Sequence, residues 1–303
     1  MVRWRGARDD AAVVSAEASR GELLRALARL VDPPDPGLAP VAEALGLPRV
    51  PSSAEHGELF TFQLHPYASV HLGPEGQLGG VARDRVAGFL RAVGVQPPTA
   101  CDHLGVLLAA AAELHDLEAA GAEPARRVRT ALLHEHLLPW VPRLLVRVGE
   151  LGAEPYRVWA ERLSEVLDAE VAALGPPAQL AVHLRDAPEL PDPREQEAGA
   201  EVFVGALLAP VRSGLILARA DLARAAGQLE LGLRVGERAF TLRALLGQDA
   251  ASTLGWLAEE ARHQQAVVPG LPVGADGDDV TAAFWRARLV ASARLLDALA
   301  AAA

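Results

Sequence analysis

The side chains able to do chemistry cluster at a few places in this 303-residue chain. Asp102-His103 sets a carboxylate beside an imidazole after a proline-rich loop, where a helix is expected to begin. At such a corner the two groups can hydrogen-bond a peptide backbone. In the plainer reading, Asp102 is the N-cap of its helix and His103 a solvated first-turn residue. Cys101 precedes the pair. A helix N-terminus promotes a thiolate, but the neighbouring Asp opposes it, so Cys101 reads as a small buried residue. His134-Glu135-His136 looks like a ligand set at first sight. On a helix, residues two apart point to different sides, unlike an i, i+4 metal pair, so packed or solvated roles are expected. Pro66-Tyr67-Ala68-Ser69-Val70-His71-Leu72 adds a phenol, a hydroxyl and a further imidazole.

Two other segments suggest alternative chemistries. His115-Asp116 is a literal His-Asp doublet, as in HD-type metal-dependent phosphohydrolases. His65, His71 or His103 would supply the earlier ligand, and Asp168 or Asp186 the later one. In a chain with nine histidines a chance doublet is the simpler reading. Between Pro210 and Leu246, Asp221 is placed to cap a helix and Gly232 to end the turn after it, a superficial helix-turn-helix. There Arg212, Arg219, Arg224, Arg234, Arg238 and Arg243 outnumber Asp221, Glu230 and Glu237. A DNA-associated regulator is one reading of that segment; an amphipathic helix pair with a solvated arginine face is the other.

Composition narrows the field. All 29 basic residues are arginine, and the chain has neither lysine nor asparagine. A Walker A loop of the usual kind, a Schiff base and a pyridoxal phosphate anchor are therefore excluded. A net charge of −10 disfavours nucleic acid or an anionic membrane as the main partner. One cysteine permits neither an intrachain disulfide nor a multi-cysteine zinc site. The N-terminus lacks the apolar stretch of a signal peptide, and no run is long enough to span a membrane, which fits a cytoplasmic location.

The elements that must position these groups are helical. Leu104, Leu107, Leu108, Ala111 and Leu114 mark one helix face. Leu133, Leu137, Trp140, Leu144 and Val148 mark another, kinked or divided at Pro139. Trp159, Leu163, Val166 and Leu167 give a third. Asp279 is placed to cap a helix carrying Trp285, Leu289, Leu296 and Leu299. Ser69-Val70-His71-Leu72 is the only short alternating, strand-like stretch, and it runs into the turn sequence Gly73-Pro74-Glu75-Gly76. Breaker clusters fall at 32–36, 96–99, 175–194 and 269–279. The third is the best boundary between two helical modules, 1–180 and 181–303, which could still pack as one domain.

Three of these stretches, in order, resemble the TorD/DmsD/NarJ group of redox-enzyme maturation chaperones. They are Pro66 to Val70, the loop into Asp102-His103-Leu104, and His136 to Trp140. The resemblance runs from about Leu59 to Leu167 and includes a short helix holding Phe89 and Leu90 that ends near Gly94. The Pro210 to Ala223 stretch is similar to a segment of longer members. The resemblance implies an all-α, TorD-like helical bundle with an additional C-terminal helical region. It implies a cytoplasmic, non-enzymatic protein without a cofactor, monomeric or homodimeric. Its partner would be the twin-arginine leader, or the apo form, of a molybdenum-containing oxidoreductase, held until maturation. By the same resemblance Asp102 and His103 carry peptide binding, with Leu104, Tyr67, Ser69 and Trp140 beside them. The sequence departs from the group's pattern at Ala68, where an acidic residue is usual, and at Thr99-Ala100, which replace Glu-Pro or Gln-Pro.

Overall fold

The computed structural model describes residues 20–195, 199–272 and 279–303. Regular structure there is helical, and the sole β-type pairing among the described residues is an isolated antiparallel bridge between Tyr67 and His103. The helices are α1 (20–29), α2 (Ala39–Ala44), α3 (Ser53–His56), α4 (Ala68–Leu72), α5 (Gly80–Ala92), α6 (Leu104–Ala119), α7 (Ala125–Leu132) and α8 (Val141–Leu151). Then follow α9 (Glu154–Leu174), α10 (Val182–Arg185), α11 (Ala200–Leu207), α12 (Pro210–Ser213), α13 (Arg219–Gln228), α14 (Arg238–Gln248), α15 (Ala250–Ala266) and α16 (Val280–Ala300). Two π-turns interrupt the series, Gly57–Gln63 after α3 and Leu133–Leu137 after α7. All-α is the fold class that the apolar periodicity and the family resemblance imply.

The expected faces are the buried ones. Leu104, Leu107, Leu108 and Ala111 of α6, and Trp159, Leu163, Val166 and Leu167 of α9, lie in the core, with Leu114 packed against it. Pro139 divides its helix as expected: the π-turn unwinds through Leu138–Trp140 and α8 restarts at Val141. Asp279 caps α16 by accepting from the Ala282 N–H at 2.9 Å. Three buried tryptophans each find an acceptor, as a buried indole N–H must, and two of them thereby tie distant segments together. Trp140 donates to the His136 carbonyl (2.8 Å), Trp159 to Leu27 (3.0 Å) and Trp285 to Pro139 (2.9 Å).

Two local readings are corrected. Ser69–Leu72 is not strand-like: it forms the buried helix α4. Four alternating residues are too few to outweigh tertiary context, and a cap from another segment holds the helix, as described below. Asp221 is not an N-cap. It sits at the third position of α13 and reaches back to the Ala218 N–H at 2.8 Å, satisfying the same helix start from inside.

Residues 175–194 lie against the first-half helices. The Glu135 carboxylate accepts from the Val182 N–H (2.9 Å), the His134 ring meets the Gly175 carbonyl (2.9 Å), and Arg85 pairs with Asp186 (2.8 Å). The apolar core runs on from α1 to α16 as one cluster. Close approaches join its ends. Gly76, with φ +61°, turns the chain after α4 so tightly against Ala209 that a Cβ would sit 2.7 Å from the Ala209 Cα. Gly214 ends α12 at φ +78°, where a Cβ would meet Leu289 at 2.8 Å. Only glycine combines that backbone with that proximity.

Candidate functional site

The loop before α4 and the loop before α6 run side by side. Ala68 N–H donates to the Asp102 carbonyl and Leu104 N–H to the Pro66 carbonyl, each at 2.9 Å, and these bonds make the Tyr67–His103 bridge. The Asp102 side chain then accepts from the Ser69 N–H at 3.0 Å. Asp102 is therefore not the N-cap of its own helix: His103 holds that position in α6, without a side-chain bond. The carboxylate caps α4 instead, at the positive end of a helix 33 residues away in sequence. The Ser69 hydroxyl accepts from the Gly79 N–H at 3.1 Å and pins the start of α5.

Burial divides the candidate residues. Asp102, Ser69, Leu104 and Trp140 are all at most 2 % exposed, so they support the surface and do not form it. Tyr67 and His103 are half-buried, their rings tilted against each other with centroids 4.8 Å apart. Asp32, on the loop after α1, brings a carboxylate to 3.9 Å from His103 Nδ1, with 60 % of its side chain exposed. Sequence reading gave Asp32 no functional role, since its only local signal was the proline cluster that follows it. Burial pushes the His103 pKa below the ordinary imidazole value, against the opposing pull of Asp32 and Asp102. Burial, with Asp102 and Asp32 adding to it, raises that of Tyr67. The corner thus offers a neutral imidazole, a phenol that stays protonated and an exposed carboxylate, which suits hydrogen bonding to a peptide and pairing with its cations.

Behind it sits an imidazole-aromatic layer. The His71 ring stacks on Trp140 with centroids 4.9 Å apart and hydrogen-bonds the His65 carbonyl at 3.0 Å. His136 packs against Phe89 at 4.8 Å and edge-on to His183 at 6.0 Å. Desolvation holds all three neutral, with pKa values pushed down to about 3 for His71, about 4 for His136 and about 3 for His183. The three short motifs therefore meet in space, the first on the second through the bridge and on the third through His71 and Trp140.

The competing chemistries fare differently. His115 is buried, its Nε2 3.0 Å from both Glu170 and Arg129, whereas Asp116 lies on the surface and pairs with Arg25. The doublet diverges, and among the described residues no three His, Cys, Asp or Glu side chains converge as a metal would need. His134, Glu135 and His136 face Gly175, Val182 and Phe89 respectively. Cys101 is buried, with its Sγ against the Arg83 carbonyl and its pKa raised by burial. In 210–246, α13 and α14 form the helix pair expected on either side of the Gly232 turn. Arg224 and Arg243 are in ion pairs, Arg212 and Arg238 donate to backbone carbonyls, and Arg219 lies 5.5 Å over Phe62. Arg224 and Arg243 thus have acidic partners within the chain, which lowers the free positive charge of the segment.

The three motifs converge on one corner of an all-helical scaffold. The family model described as nitrate reductase delta subunit matches residues 51–146, the segment that holds all three. The match supports the NarJ/TorD-type chaperone family, a family of molybdoenzyme maturation chaperones rather than enzymes. No curated protein matches the chain. No helix among the described residues is long and apolar enough to cross a membrane.

Proposed function

We propose that this chain is a cytoplasmic maturation chaperone that binds the twin-arginine leader of a molybdenum-containing oxidoreductase before export or assembly. The observation that carries the reading is the convergence of the motifs on the partly buried Tyr67–His103 pair, inside the family-matched segment. Asp32 supplies a carboxylate for a leader arginine. An apolar groove of about 360 Å³ opens between α5, α6 and α7, lined by Phe89, Leu90, Val93, Leu114 and Val128, with Glu113 as its only ionisable side chain. It lies along α6 from the corner, roughly 16 Å for the rise between His103 and Leu114. A leader presents two arginines and then an apolar stretch, so corner and groove complement it in that order.

The experiment is titration of the leader peptide into the wild-type chain and into Tyr67→Ala/His103→Ala. The wild type binds at micromolar affinity or better, and the double variant loses about tenfold or more. Equal binding by both proteins, with the fold intact by circular dichroism, removes the corner as the site. Binding of apo-enzyme lacking its leader, at the affinity of the intact client, would shift the reading from the leader to the apo form.

A further inference from the structure

Helix α8 carries two buried guanidinium groups one turn apart on the same face, Arg143 and Arg147. Both line a cavity of about 10 Å³, whose other walls are Gln264 and the apolar side chains of Val146, Ile216, Val267 and Val268. That is room for a single water-sized or monatomic species. Arg143 donates through Nη2 to the Gly214 carbonyl and lies 4.4 Å over the ring of Trp285. Its Nη1 has no hydrogen-bond partner among the described residues, and no carboxylate there pairs with it. Burial pulls its pKa down to about 9, and the positive charge of Arg147 adds to the pull, so Arg143 is still a cation at neutral pH.

The Nε of Arg147 has no acceptor either. Its terminal nitrogens pair with Glu150 and with Asp221 at 2.5 Å. Asp221 and Glu260 are shared with Arg224, at 3.0 and 2.8 Å. These carboxylates are matched to Arg147 and Arg224, and Arg143 is the cation left over. A buried cation needs a counter-charge. The lining narrows what can supply it. Gln264 is engaged throughout: its Oε1 accepts from the Ile216 N–H (2.9 Å), and its Nε2 donates to the Ile216 carbonyl (3.2 Å) and to Glu260 (2.8 Å). The open side-chain positions are therefore two cationic N–H donors beside apolar carbon. A water would bring two hydrogens that themselves need acceptors, whereas an anion only accepts. We propose that the cavity is a binding site for one chloride ion, held by Arg143 Nη1–H and Arg147 Nε–H. Phosphate, sulfate and a carboxylate group are too large for it. The site is independent of the Tyr67–His103 corner and of the leader reading.

The test is thermal denaturation of the full chain at neutral pH and constant ionic strength, with sodium gluconate replaced stepwise by sodium chloride. The proteins are wild type and Arg143→Met, which share any general salt effect. Chloride at about ten times its dissociation constant should raise the wild-type midpoint by about 2 °C or more, along a saturating curve. Bromide should act in the same way, and Arg143→Met should lose the dependence, because it removes the charge that the ion balances. A second measurement needs no variant: anomalous diffraction from wild-type crystals grown in bromide should show a peak between Arg143 Nη1 and Arg147 Nε. Equal chloride responses of wild type and Arg143→Met overturn the site, since the ion then acts elsewhere. A wild-type midpoint that does not respond to chloride, or a water where the bromide peak is expected, overturns it as well.

Discussion

Two regions of the molecule bury polar side chains differently, although the first also buries the Asp102 carboxylate. Around the motif corner the buried groups are imidazoles kept neutral: His71 on Trp140, and His136 between Phe89 and His183. Around α8, α13 and α15 they are ions kept charged: Arg147 and Asp221, with Glu260 beside them. A neutral imidazole costs little to bury while the pH stays above its titration range, whereas a buried ion must be compensated at any pH. The first arrangement makes a corner whose stability answers to acid. The second makes a rigid joint that answers to the loss of a partner.

The joint should therefore break hardest on truncation. Arg147→Met leaves Asp221 and Glu260 buried with Arg224 as their remaining cationic partner. A loss of about 3–5 kcal/mol is expected in urea denaturation at neutral pH. Arg147→Met with Asp221→Leu should cost less than the two changes summed, because the second removes the stranded charge; strict additivity would show that the pair is not coupled.

The histidines should break next, and only in acid. Each is neutral in the fold, with its pKa at about 3 or 4, and titrates near 6.5 when unfolded. Between those values the unfolded chain binds more protons, so stability falls as the pH drops through the interval. The slope is at most about 1.4 kcal/mol per pH unit for each histidine. His183→Leu should recover about 2 kcal/mol of the acid loss by pH 5 while leaving the neutral-pH slope unchanged. His183 is a good choice because its buried Nε2 has no partner to strand. A variant whose stability falls with pH as the wild type's does would mean that this ring charges freely in the fold.

Asp102 separates what the sequence made legible from what it did not. The helix start, its apolar face and the break at Pro139 were readable, because each depends on neighbours within a turn or two. That Asp102 caps α4 instead of its own α6 was not, since the acceptor and donor are 33 residues apart in sequence. Asp32 was invisible for the same reason: it meets His103 across the fold. Asp221 was legible in its effect, a satisfied helix start, but not in its position. Asp102→Ala should cost about 1–2 kcal/mol in thermal or urea denaturation, and Asp102→Asn less, because an amide oxygen still accepts from the Ser69 N–H. Equal losses from both would show that the charge at the α4 start matters more than the hydrogen bond.

The smallest effect on stability is expected at the surface of the corner, and that is what gives it discriminating power. Tyr67 and His103 are partly buried and pack their rings on each other, so Tyr67→Ala and His103→Ala should each cost about 1 kcal/mol. The backbone bonds of the bridge run between Ala68 and Asp102 and between Leu104 and Pro66, so neither substitution removes one. Leader affinity should fall in these variants while the denaturation midpoint barely moves, and in Asp102→Ala the midpoint should move first. A residue that binds and a residue that holds the binder are thus distinguished by which measurement responds. If Tyr67→Ala lowered the midpoint as much as Asp102→Ala and left leader affinity unchanged, the rings would belong to the framework with Ser69, Leu104 and Trp140. The ligand-facing surface would then shift to Asp32 and the groove along α6.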